Sequence, residues 1–263
     1  MNFKNYLIFF LLLLPMSAFS QVSDSSLNKT DLKGFKQGHW IKKYPNGHTQ
    51  YNGFFKENHP VGAFKRFYET DTLQSILVFS NDGKEASAIL YHPNGFIAST
   101  GKFVNQMKEG KWKFYSAKIK GYLIIEEEYK ANIRNGSSLK YYSNSRLAEK
   151  VLYVNDLKNG EWIQYFQSGN ICLKANYING KLEGSFFIYF DDGKPEYIGQ
   201  YNNDLRAGTW KIFNSDGTQK YNLEYVDGIA TNSEVYKKES AFFDELDKNK
   251  GKIADPEKTG TIW

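Results

Sequence analysis

The sequence predicts an all-β fold, an elongated antiparallel meander of about eight β-hairpin repeats of 24 residues with a short C-terminal capping helix. Three observations carry that expectation. A glycine followed two residues on by an aromatic returns at a fixed interval: Gly38-His-Trp40, Gly62-Ala-Phe64, Gly110-Lys-Trp112, Gly160-Glu-Trp162, Gly184-Ser-Phe186 and Gly208-Thr-Trp210. An aromatic stands seven residues before each following anchor, at Phe55, Phe79, Phe103, Tyr129, Tyr153, Tyr177 and Tyr201, with Tyr225 after the last unit. Two turn signals fall within each unit and leave room for two short strands. A unit this small cannot bury its own apolar face, so successive copies stack into one continuous core.

The first 20 residues read as a secretory signal, with Lys4 ahead of an apolar run from Tyr6 to Leu14 and small residues around Ala18-Phe19-Ser20. Cleavage before Gln21 and export to the periplasm or exterior are expected, and no cysteine near that point suggests a lipid anchor. Residues 21–36, polar and aperiodic, are expected to form a flexible leader.

The repeat array then occupies residues 37–231. Its anchors are Gly38, Gly62, Ala86, Gly110, Gly136, Gly160, Gly184 and Gly208, spaced by 24 except for 26 between Gly110 and Gly136. The two extra residues fall within Tyr115–Gly121 and predict a lengthened hairpin tip. Tips are signalled by Asn46-Gly47, Asn94-Gly95, Ser168-Gly169, Asp192-Gly193 and Asp216-Gly217, because glycine reaches positive φ without strain. Asn155-Asp156, Asn179-Gly180, Asn203-Asp204 and Asp227-Gly228 mark the second turns. Between turns the residues alternate as a strand does, with Ile171, Leu173, Ala175 and Tyr177 on one side and Cys172, Lys174 and Asn176 on the other. Ala88 and Ser138 interrupt the tryptophan column and predict looser repeats; Asp71 and Ser145, in place of tip glycines, predict looser tips. Beyond the array, residues 232–263 are read as a helix capped by Ser233, followed by a tail ending in Ile262-Trp263.

Composition fits a core of rings. Phe, Tyr and Trp number 20, 19 and 5 and make up 17% of the chain, whereas the apolar fraction of 41% is ordinary. The net charge of +5 is small and its residues are scattered, which speaks against a nucleic-acid partner. Cys172 is the single cysteine, so no internal disulfide forms, and it reads as a small buried or half-buried filler.

No catalytic constellation is visible, so the chain is expected not to be an enzyme. His39, His48, His59 and His92 lack metal-ligand spacing, and neither a metal nor another cofactor is expected. Asp191-Asp192-Gly193 lacks the spacing and distal Glu of a calcium loop, and Glu126-Glu127-Glu128 reads as a solvated face. There is no phosphate-binding loop, nucleophile elbow or dinucleotide fingerprint.

The rings fall into rows. Trp40, Trp112, Trp162 and Trp210 together with Tyr129, Tyr153, Tyr177 and Tyr201 are assigned to the structural core. Five residues after the anchor run Lys43, Phe67, Tyr91, Tyr115, Tyr141, Tyr165, Tyr189 and Phe213, and one residue further run Tyr44, Tyr68, His92, Tyr142, Phe166 and Phe190. Neighbours in a strand face opposite ways, so either one of these two rows is exposed or both faces are covered. The row from Tyr44 to Phe190 is therefore the candidate binding row, with packing between repeats as the alternative.

At the level of Tyr177-Ile-Asn-Gly180-Lys-Leu-Glu-Gly184-Ser-Phe186-Phe-Ile-Tyr189-Phe190-Asp-Asp-Gly193, the chain resembles MORN repeats, and more closely the MORN-variant repeats of bacterial proteins often labelled antitoxin-like. The resemblance runs from about residue 34 to 231 and implies an interaction scaffold. The expected function is a non-enzymatic scaffold of the bacterial envelope or exterior that binds a protein or peptide on an aromatic sheet face. A cell-wall glycan or lipid-headgroup binder and an antitoxin-like neutralising partner are the alternatives. An antitoxin role implies a cytosolic toxin and fits poorly with an exported chain.

Overall fold

The computed structural model describes residues 26–232 together with Glu234 and Lys237, and the signal segment lies outside them. They form an antiparallel meander of 19 strands. The first repeats hold β1 (Lys29–Thr30), β2 (Lys36–Lys43), β3 (Thr49–Lys56), β4 (His59–Phe67), β5 (Leu73–Phe79), β6 (Glu85–Tyr91) and β7 (Ile97–Val104). The middle repeats hold β8 (Met107–Tyr115), β9 (Leu123–Lys130), β10 (Ile133–Tyr141), β11 (Leu147–Val154), β12 (Leu157–Tyr165) and β13 (Ile171–Ile178). The series closes with β14 (Lys181–Leu182), β15 (Gly184–Tyr189), β16 (Pro195–Asn202), β17 (Leu205–Phe213), β18 (Gln219–Val226) and β19 (Ile229–Ala230). β14 and β15 are two pieces of one strand position, and β1 and β19 are two-residue ends, so the body supplies two full strands to each of eight repeats.

Except at the lengthened β8–β9 tip, every hairpin tip is closed in the same way. The N–H of the residue six past the anchor donates to the carbonyl four residues on, as Tyr44 to His48 at 2.8 Å and Phe166 to Asn170 at 2.9 Å. The tips expected to be looser keep this geometry. Asp71 and Ser145 take left-handed φ values of 66° and 65° and donate to the carbonyls of Tyr68 and Tyr142 at 3.0 and 2.8 Å. Asp, and less readily Ser, tolerates that conformation without a glycine. Below each tip the return strand carries one unpaired extra residue, for instance Ala148, skipped between Lys140↔Glu149 and Tyr141↔Leu147. Cys172 is the bulged residue of its own hairpin. The inserted residues lengthen the tip between β8 and β9, where Ser116 N–H donates to Tyr122 O at 2.9 Å.

The second turns are two-residue connections with both residues left-handed, such as Asn155 (φ 50°) and Asp156 (φ 64°), the geometry that matches strand twist. Their second residue also joins repeats. The side-chain oxygens of Asn58, Asn132, Asp156 and Asp204 accept from the backbone N–H of Lys36, Lys108, Arg134 and Leu182 at 2.7, 2.6, 3.1 and 2.9 Å.

The anchor glycine makes a wide bulge. Thr100 pairs with Lys113 and Lys102 with Glu109, so Gly101 alone faces the three residues Gly110, Lys111 and Trp112, with Gly110 at φ 66°. This bulge folds the Trp112 ring back over Gly101, where a Cβ would stand only 2.3 Å from the ring. Phe64 covers Gly53 in the same way. Ala88 and Ser138 do not loosen their repeats, as the sequence suggests; each is 3% exposed. The strand opposite compensates in volume, placing Leu77 across from Ala88 and Glu127 across from Ser138.

Ala86 is explained by the same logic. At β5–β6 the register runs without a shift, Phe79 facing Ala86 directly, so the anchor needs no positive φ and an alanine serves. The residues released from the bulge lengthen the connection before it to Ser80–Lys84, where Gly83 supplies φ 70°.

Part of the expected flexible leader is structured. β1 pairs with β2, and Asn28 bonds Ile41 twice, accepting its N–H at 2.8 Å and donating to its carbonyl at 3.0 Å, so the Asn amide imitates a strand along an exposed edge. Of the capping helix expected from Ser233, only Glu234 and Lys237 are described, joined by a 3.3 Å ion pair. The tail beyond lies outside the described residues.

Candidate binding face

Strand alternation sends the anchor-plus-two column and the aromatic column to one inner face. Trp112 and Trp210 are fully buried there, Trp162, Tyr177 and Tyr201 are buried, and Trp40, Tyr129 and Tyr153 are half-buried. Their rings meet largely edge to face, as Phe103 with Trp112 at 4.8 Å and Tyr201 with Trp210 at 5.3 Å.

A third column on this face is cationic, and sequence reasoning missed it. Two residues before the anchor stand Lys36, Lys84, Lys108, Arg134, Lys158 and Arg206. Lys36 lies 4.7 Å from the Trp40 ring centre, Lys108 4.7 Å from Tyr129, Arg134 4.0 Å from Tyr153, Lys158 4.9 Å from Trp162 and Arg206 5.5 Å from Tyr225. The signal was present in the aligned repeats, but such charges resemble ordinary surface lysines until the ring positions are known.

Two buried carboxylates balance these cations in the middle repeats. Glu127, read as part of a solvated face, is 9% exposed and takes a core position because Ser138 leaves room for it. It accepts from Tyr129 Oη at 2.5 Å and lies 3.9 Å from Arg134. Burial first, then this hydrogen bond, pushes the Tyr129 phenol far up. Glu149, 3% exposed, pairs with Lys140 at 3.0 Å and accepts from Trp162 Nε1 at 3.0 Å. Burial lowers the Lys158 ammonium, and Glu149 partly offsets that shift.

The candidate binding row stands at the hairpin tips, half-buried. Tyr44, Tyr68 and Tyr142 donate their hydroxyls to the carbonyls of Phe67, Tyr91 and Tyr165, one repeat on, at 2.9, 2.7 and 2.5 Å. His92 Nε2 contacts Tyr115 O at 3.1 Å. The lengthened tip has Ser116 in this row, and Tyr122, just past the insertion, makes the missing bond, donating to Tyr141 O at 2.6 Å. Phe166 and Phe190 have no hydroxyl; beside them Ser168 donates to Asp191, and Asn170 donates to Asp191 O at 2.6 Å. This row therefore stitches repeats together along the tip edge. The neighbouring row falls on the outer face, where Phe187 stacks on Tyr189 and Tyr165 feels Glu161 and Lys174.

Between β3 and β7 the inner face holds a cavity of about 470 Å³, walled by Phe55, Phe64, Leu77, Phe79 and Phe103. Two departures from the repeat border it: Pro60 stands where most repeats have a cation, and the unshifted β5–β6 register leaves Lys84 exposed in the turn instead of over a ring. Trp112 packs on Phe103, and Trp210 lies between Tyr201 and Tyr225; the equivalent space in this repeat lies between Phe79 and Phe103. Arg66, Lys84 and His59 border the cavity.

Among the described residues no three of His, Cys, Asp and Glu gather as metal ligands, and no helix is long and apolar enough to cross a membrane.

Residues 158–179 and 182–203 match the MORN repeat variant, as the resemblance implied, and no enzyme family matches. Nothing among the curated proteins matches the chain. Among solved structures, a chain of the TcdB2-TccC3 crystal structure is similar at 12% identity and a TM-score of 0.21. That match covers 71% of this chain and 14% of the other, so this chain spans a small fraction of that protein.

Proposed function

We infer that this chain, whose residues 158–203 are MORN-variant repeats, is a non-enzymatic interaction protein of the bacterial envelope or exterior that holds a protein or peptide partner. One observation supports the reading. The inner face is filled by its own rings and cations through most of the array, and between β3 and β7 it opens into an aromatic-walled cavity bordered by Arg66 and Lys84. A pocket of that size with few polar groups is the usual form of a recognition site. The tip row from Tyr44 to Phe190 has its hydroxyls committed to backbone carbonyls, which favours the inner face as the place of contact.

The test is affinity capture from envelope extract with the wild-type chain and with a Leu77→Trp variant, which enlarges a side chain of the cavity wall and takes up its space. A stoichiometric protein held by the wild type and lost by the filled variant supports the reading. Co-sedimentation with purified peptidoglycan or anionic vesicles and no retained protein overturns it in favour of a glycan or lipid-headgroup role.

A further inference from the structure

Resting on the binding reading above, we propose that the cavity between β3 and β7 receives the C-terminal end of a peptide. An apolar last side chain enters among the rings, and the terminal carboxylate meets Lys84 at the turn edge of the sheet.

The walls set the first half of this chemistry. Phe55, Phe64, Phe79 and Phe103 present ring faces and edges, and Leu77 fills between them, in a space of about 470 Å³. That volume admits a large apolar side chain with its adjoining backbone.

Charge sets the second half. The lining contains Arg66, Lys84 and His59 and no acidic residue. Arg66 is exposed and makes no ion pair among the described residues. Lys84 belongs to the column whose other members lie over rings, yet it projects from the Ser80–Lys84 turn and lies over no ring among the described residues. It influences Asp82, which is fully exposed and whose own carboxylate is held down chiefly by Ser80. Arg66 pairs with Ser75 while Lys84 lies beyond the Phe79–Ala86 pair, so the two cations stand at opposite ends of β5. Lys84 follows Gly83, which lies against His59 and Pro60, and its ammonium suits a carboxylate at this turn edge.

The peptide, rather than a free organic acid, is favoured by the two turns that flank the opening. Asn58 and Gln106 are the second residues of their turns, at φ 67° and 65°, and both line the cavity. The Asn58 oxygen accepts from Lys36 N–H at 2.7 Å, so what its side chain has left to offer is the amide NH2 as a donor. Side-chain amides on two sides of an apolar pocket match the alternating donors and acceptors of a peptide backbone.

The experiment measures fluorescence anisotropy of a labelled hexapeptide ending in Leu-Phe with a free carboxylate, its C-terminal amide, and competition by N-acetylphenylalanine, all on the full chain. The carboxylate form is expected to bind about tenfold tighter than the amide, as losing one charge-assisted contact implies. Lys84→Ala, a surface change, is expected to reduce that preference, Arg66→Ala to leave it in place, and Leu77→Trp, which narrows the cavity, to abolish binding. Equal affinity for acid and amide overturns the carboxylate assignment and leaves peptide binding standing. N-acetylphenylalanine binding as tightly as the hexapeptide overturns the peptide assignment in favour of a small organic acid. Failure of both peptides and of N-acetylphenylalanine to bind overturns the cavity's role altogether.

Discussion

Trp210 lies flat over Gly199, so closely that a methyl group added to the glycine would stand 2.2 Å from the indole. The φ of Gly199 is ordinary, and its need for glycine is purely one of contact. Gly199→Ala is expected to lower stability by about 1–3 kcal/mol, the usual cost of overpacking. Adding Trp210→Phe reproduces the Ala175 and Phe186 pair found one repeat earlier. The double variant is expected to be more stable than the sum of the two single losses in urea denaturation; simple additivity would show that the ring and the glycine are not matched.

Tyr142→Phe removes the hydroxyl bond to Tyr165 O and is expected to cost about 1 kcal/mol. Tyr122→Phe should cost a similar amount, because the inserted tip uses Tyr122 for the same bond. Tyr165→Phe, whose hydroxyl makes no hydrogen bond among the described residues, is the control and should leave the denaturation midpoint unchanged.

Glu149 stands between Lys140 and the Trp162 indole. Glu149→Ala leaves a half-buried ammonium and an indole N–H without their acceptor and is expected to cost about 3–5 kcal/mol. Glu149→Gln keeps an acceptor for Trp162 and should cost clearly less. Equal losses, read by thermal unfolding of both variants, would show that the charge and not the indole bond is what matters.

Burial pushes the Cys172 thiol from its ordinary 9.0 up to about 11, with Glu196 and Asp191 adding to the shift. The thiolate is the reactive form, so at pH 8 the folded chain should react slowly with iodoacetamide. Its rate should climb about tenfold per pH unit through pH 9 and 10, where a free thiol has already levelled off. A plateau near pH 9 in the folded protein would contradict the burial. The sign for stability follows from the same shift. An acid whose folded value is raised favours folding less as pH passes its unfolded value, so this site loses stability between pH 9 and about 11.

The period made the meander, the tips, the insertion and the ring columns legible from sequence, because each glycine, turn pair and aromatic repeats at one spacing. What stayed hidden depends on pairs of positions in different strands. The fit of Leu77 to Ala88 and of Glu127 to Ser138 is invisible until the register is known, so small residues read as weakness and a buried acid read as surface. The cation column was hidden for the same reason. Asp71 and Ser145 were misjudged because the hydrogen bonds of the tip, more than glycine itself, enforce its conformation. The cavity is bordered by departures from the pattern, Pro60 and Lys84, and a pattern search rewards presence.

The unshifted junction between β5 and β6 also has a mechanical meaning. Wide bulges add twist to a ribbon, and this crossing lacks one. The continuous buried cluster runs from Val151 to Tyr225, far on the C-terminal side. In a stacked array each copy is steadied mainly by its neighbours. The first two hairpins are therefore coupled to the rest through a plainer seam, where pulling or heating should part the ribbon first. A ligand seated between β3 and β7 would span that seam and splint the first two hairpins to the third.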